Sequence, residues 1–171
     1  MKKTNTFILF WNPQISNVKD EDRSGFVEYL CTGGCYTTSW AIWDWEKVRE
    51  GDRFFRVRCG MPNPADDGVI DSGYIVSKPF AGTDWSGEGR KVYYADLDFD
   101  VVLDYDTCPI LTSNKLDLRI PNFDWHGGHS GRLLLKKDAA VLEKLWQQLV
   151  DGLIENPETY NSVFRIFKQY D

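Results

Sequence analysis

The side chains best suited to chemistry are two histidines, His126 and His129, and four cysteines, Cys31, Cys35, Cys59 and Cys108. Cys31 and Cys35 make a C-x3-C pair and His126 and His129 an H-x2-H pair, which together could supply four zinc ligands. Their spacing is looser than in familiar zinc modules, and the halves lie far apart in the chain. The plainer reading is a thiol-bearing loop and a glycine turn. The aspartates from Asp96 to Asp106, among them Asp98 and Asp100, could hold magnesium for nuclease chemistry. Acids alternating along a strand more often form a solvated face, and such a face repels phosphate. Ser130 follows His129, but GHSGR is not a nucleophile elbow, and adjacent side chains rarely point at each other. Either histidine could still act as a general base. The glycine-rich phosphate loops of nucleotide-binding proteins are absent. Gly127, Gly128 and Gly131 leave backbone N–H groups accessible beside Ser130 and Arg132. They suit either a grip on an oxyanion or base edge, or simply a tight connection. No resident metal or cofactor is expected.

The aromatic residues make a stronger pattern. SWAIWDW, residues 39–45, concentrates tryptophan, whose ring is costly to expose and whose N–H needs a partner when buried. These rings are either core or the wall of a pocket for a flat ligand. On a strand Trp40 and Trp43 would take opposite faces, so Trp43 and Trp45 read as core or rim. Trp146 reads as helix packing.

Positioning these side chains falls to a mixed set of elements. A chain of 171 residues is one domain by length, here 1–171, and can bury a real core. Hydrophobic content of 42% and charged content of 27% are those of an ordinary globular protein. The net charge of −6 argues against holding nucleic acid through a broad basic surface, although a local site could be basic. No apolar run is long enough for a membrane helix, and MKKTNTFILFWNP reads as a first strand rather than a signal peptide. A cytoplasmic location with reduced thiols is expected.

Thr6–Trp11 reads as a strand and Val18–Leu30 as a helix, followed by the CTGGC loop. Thr37–Trp43 reads as a strand and Trp45–Glu50 as one helical turn. Asp52–Cys59 is the clearest strand, with Phe55 and Val57 on one face and Phe54, Arg56 and Arg58 on the other. Gly68–Phe80 is a strand whose Gly73 marks a bulge or close approach. Lys91–Tyr105 is a strand with one wet, acidic face. Leu116–Ile120 forms a short helix. Lys137–Leu153 has helical spacing, and a second helix is predicted from Pro157, with Val163, Phe164 and Phe167 inward. With few crossover helices between strand pairs, the fold class is α+β, built on a small curved or barrel-like sheet.

The order FILFWNP, SWAIW, GDRFFRVRCG, GVIDSGYIVSKPF, a loop with Trp85, then WHGGHSG resembles the EVE domain of the PUA-like superfamily. The resemblance covers about residues 6 to 135, with the C-terminal helices (about 136–170) as an extension. It implies a small β-barrel flanked by helices, similar to YTH and ASCH domains, several of which hold a modified base in an aromatic pocket. Carried over position by position, the ligand-binding residues would be Trp11 and Asn12, Ser39 and Trp40, and Trp85. Trp125 and Ser130 are further members of the set, and Arg56 and Arg58 would meet phosphate. The implied function is a non-enzymatic module recognising a flipped or modified base in DNA or RNA. The alternatives are an ASCH-like ribonuclease using His126, His129 or the aspartates, and a small-molecule or protein-interaction domain.

Overall fold

Thr6–Trp11 (β1) is apolar from Phe7 onward because both of its faces are covered. Phe7 and Leu9 enter one hydrophobic cluster, while Ile8 and Phe10 enter the other. The computed structural model describes residues 3–31 and 37–166, apart from the side chains of Cys31 and Thr37. β1 pairs in parallel with Arg53–Arg58 (β3). The crossover between them carries Asp20–Cys31 (α1) and Thr37–Ala41 (β2). Every other strand pairing is antiparallel: Gly68–Ile75 (β4), Phe80–Thr83 (β5), Lys91–Leu103 (β6), Leu111–Thr112 (β7) and Arg132–Leu134 (β8) join the same sheet. The order along its main path is β2-β6-β4-β3-β1-β8. The fold is therefore α+β: a mixed sheet curled into a half-barrel and flanked by helices.

The helices divide between the clusters. Leu30 of α1 packs with Phe7, Leu9, Phe54, Leu97 and Phe99 inside the curl. Ser113–Arg119 (α2) and Lys136–Glu155 (α3) cover the opposite face through Leu116, Leu142, Leu145, Trp146 and Val150. The alternation in β3 is as its sequence predicts, with Phe55 and Val57 on the α3 side and Phe54 in the curl. Gly73 lies at a register shift between β4 and β6, where a Cβ would stand 2.0 Å from the Asp98 carbonyl oxygen, so no larger residue fits there.

The half-barrel is tied across its open side just after β2. Trp43 N–H donates to the Ser130 carbonyl at 2.9 Å, and Asp44 N–H to the Gly131 carbonyl at 3.0 Å. Gly131 has φ +87°, and a Cβ on it would approach the Ile42 Cα to 2.5 Å. Glycine is thus required by both conformation and space. This stitch brings the end of SWAIW onto the HGGHSG loop.

The strand expected over Gly68–Phe80 ends at Ile75, and Phe80 opens the separate β5; two further expectations need correction. Residues 163–165 are a strand, β9, paired with Val101–Leu103 of β6, instead of a second C-terminal helix. Three apolar positions in so short a segment fit either period, and the free ladder positions on β6 decide in favour of the strand. Phe167 lies outside the described residues. Nor is the acidic side of β6 an open wet face. Asp98 is buried, and Asp100 accepts from the Ser72 hydroxyl at 2.6 Å and from Arg53 Nη1 at 2.8 Å. Arg53 also reaches Glu143 of α3. A basic side chain on β3, reaching across β4, pairs with an acid that looks solvated in one dimension. Among the described residues no helix is long and apolar enough to cross a membrane.

Candidate functional site

Between the end of β1, strand β2, the loop after β5 and the HGGHSG loop lies an open cavity of about 480 Å³. Of the nine residues expected at a ligand or phosphate site, Trp11, Asn12, Ser39, Trp40, Trp85 and Ser130 line it. Ser130 organises one wall. Its Oγ accepts from the Phe10 backbone N–H and from the Trp40 indole N–H, each at 2.9 Å. The half-buried Trp40 ring is thereby pinned to the floor left by β1. Trp11 is sealed except at an edge, with its N–H donated to the Val18 carbonyl at 2.9 Å. Asn12 accepts from Gln14 N–H through Oδ1, while its Nδ2 has no acceptor among the described residues. Gly60, at φ +67°, leaves the space that the Asn12 amide fills, since a Cβ there would meet Nδ2 at 2.1 Å. Ser39 is exposed and donates to Asp96 at 2.7 Å. Trp85 is 56% exposed, on the loop after β5.

The remaining three lie elsewhere. Trp125 is fully buried against α2 and α3, with its N–H on the Ile120 carbonyl at 3.0 Å, and does not line the cavity. Its neighbour His126 reaches the wall instead. Arg56 and Arg58 are buried rather than displayed beside the pocket. Arg56 binds Asp71 through Nε at 3.0 Å, and its guanidinium carbon lies 5.0 Å from the Trp40 ring centre. Arg58 donates to the Asp66 carbonyl and lies over Tyr105. Strand register turns both side chains into the curl, where aspartate and aromatic faces replace water.

The lining is nearly free of formal charge. Its ionisable groups are Cys59, Tyr94 and His126. Burial first, then Asp67 and Asp124, push the Cys59 thiol up to about 11, so it is neutral at pH 7. Burial, with Asp84, likewise raises Tyr94. His126 is held between carboxylates, with Nε2 at 2.7 Å from Asp117 and Nδ1 at 3.1 Å from Asp67. Its pKa is raised by the Asp117 hydrogen bond above all, then by Asp67, against the opposing effect of burial. His129 is elsewhere, stacked on the exposed Trp43 ring at 3.6 Å between centroids and 6° between planes. The two histidines therefore share no metal site, and no group of three or more metal-ligating side chains occurs among the described residues. The side chain of Cys31 and all of Cys35 lie outside the described residues.

Sequence reasoning missed Tyr94, Cys59 and the carboxylate clamp on His126, none of which is signalled by local spacing. Arg23 was findable. Residues 23, 26, 27 and 30 repeat at helical spacing, which places an arginine on the buried face of α1.

No protein-family model matches the chain, and no curated protein matches it significantly in sequence. Solved structures do match. The NMR structure of Rpa0253 from Rhodopseudomonas palustris is similar over 85% of this chain and 95% of its own, with a TM-score of 0.55 and 14% identity. The crystal structure of the Mmi1 YTH domain in complex with RNA is similar over 88% of this chain and 82% of its own, with a TM-score of 0.50 and 9% identity. At such identities the likeness is one of fold, and the chain has a fold related to that of YTH domains.

Proposed function

We propose that the chain is a non-enzymatic nucleic-acid binding module, of the EVE kind, that takes a flipped or modified base of DNA or RNA into the Trp40–Trp85 cavity. One observation carries the reading: two tryptophans distant in sequence line a single open cavity whose surface is aromatic and almost uncharged, with the Asn12 amide in it. A base leaving its stack costs a few kcal/mol, and aromatic stacking returns roughly 1–3 kcal/mol per base. An amide with an unused N–H can read a base edge. The YTH-related fold, seen with RNA in the Mmi1 complex, supports the same reading.

The ribonuclease alternative finds less support. Both nitrogens of His126 face carboxylates, which favours imidazolium over a free base, and the Ser130 oxygen already accepts two N–H donors. The test is anisotropy titration of modified and plain oligonucleotides at low salt. Wild type binds, and Trp85→Ala weakens binding about 5- to 150-fold by loss of one stacking face. Because Trp85 is 56% exposed, the same change leaves stability within about 0.5 kcal/mol. Absence of binding by wild type removes the proposal.

A further inference from the structure

A second cavity, of about 290 Å³, adjoins the first; Trp11, Thr38 and Trp40 line both. Arg23 of α1 and Arg56 of β3 also line it. Both arginines are buried, at 4% and 6% exposure, and they share a single fully buried carboxylate, Asp71. Arg23 Nη1 donates to Asp71 Oδ2 at 2.9 Å and Nη2 to the Leu103 carbonyl at 2.9 Å. Two cations against one anion leave a buried excess of positive charge. The Trp11, Trp40 and Phe99 rings around Arg56, at 6.0, 5.0 and 4.9 Å, offset it only in part. Arg23 Nε has no hydrogen-bond partner among the described residues although it is buried, and Arg56 Nη1 donates to no described residue. An unsatisfied buried guanidinium N–H is costly and calls for an acceptor. Burial, together with Arg56, lowers the Arg23 pKa against the raising effect of Asp71. The carboxylate of Asp22 also lines the cavity, but it is exposed and accepts from Lys19 N–H, so solvent screens it.

We propose that this second cavity is an oxyanion compartment that takes a phosphate group, through Arg56 Nη1 and the Thr38 hydroxyl, with the buried charge of Arg23 behind them. The phosphate comes either from the nucleotide whose base fills the first cavity, a form that rests on the base-binding proposal, or from a free phosphorylated small molecule. Either source meets the same donors.

The experiment uses inorganic phosphate, a nucleoside and its 5′-monophosphate, with chloride balancing ionic strength. Inorganic phosphate raises the melting midpoint of the wild-type chain saturably, by about 3–6 °C at ten times its Kd. It also shifts the Arg56 Nε–H resonance, on the guanidinium whose Nη1 meets the phosphate, a readout that needs no variant. Thr38→Glu places a carboxylate in the compartment and abolishes the response, whereas Thr38→Ala, which removes one donor, weakens phosphate binding about 5- to 10-fold. A monophosphate that binds more tightly than its nucleoside supports a ligand spanning both cavities. Equal binding of the two, with phosphate still active, supports the free small molecule. No saturable phosphate response and an unmoved Arg56 resonance overturn the inference. If the nucleoside still binds in that case, the base-binding proposal survives it.

Discussion

The tryptophans fall into two regions with opposite treatment of the same side chain. Trp11, Trp125 and Trp146 are sealed, and each hands its N–H to a fixed acceptor: the Val18 carbonyl, the Ile120 carbonyl and the Ser72 hydroxyl. Trp43 and Trp85 are 59% and 56% exposed, and no described acceptor takes either N–H. Trp40 stands between the two groups, half-buried with its N–H on Ser130. The difference teaches that burial of an indole is licensed by an acceptor already built into the fold. Of the rings left without one, Trp43 stacks on His129 and Trp45 on Tyr93, whereas Trp85 stacks on no described aromatic side chain.

Trp125→Ala tests the sealed region and has the largest expected effect. It should cost about 3–5 kcal/mol of stability in denaturant unfolding, because a filled site between α2 and α3 becomes a cavity. A loss below about 1 kcal/mol would show that the ring is not sealed in solution. Ser130→Ala probes the boundary between the regions. It strips the acceptor from both Phe10 N–H and Trp40 N–H, and should cost about 1–3 kcal/mol while blue- or red-shifting tryptophan emission as Trp40 is released. An unchanged spectrum would deny that Ser130 pins Trp40.

The smallest effect concerns His126, the only cationic group lining the larger cavity among the described residues. The folded pKa of His126 is raised above its ordinary 6.5, so its carboxylate clamp stabilises the fold fully below pH 6.5. That contribution fades as pH rises through the folded value. Unfolding measured from pH 5.5 upward should show the decline in wild type and a flatter profile in His126→Gln; parallel profiles would contradict the clamp.

Much of this arrangement was legible in the chain. The strands at 6–11 and 53–58, the helices over α1 and α3 and the bulge at Gly73 all follow from local periodicity and composition. Trp40, Trp85, Asn12 and Ser130, expected together from the order of short motifs, line one cavity. Trp125 is buried instead of lining the cavity, and three further assignments went differently for one reason. The face of β6 carrying Asp100, the side chains of Arg56 and Arg58, and the segment 163–165 all depend on a partner from another part of the chain. No window of sequence contains that partner.

The amino-acid sequence by itself determined most of the strands and helices and which residues are aromatic enough to stack. Those properties depend on side-chain shape and on spacing within a few residues. Only the tertiary structure decided which tryptophans are sealed and which are open, and which arginines are left sharing one aspartate. Those outcomes depend on hydrogen-bond acceptors and counter-charges delivered across the half-barrel, where the cost of burying an unpaired polar group selects a single arrangement.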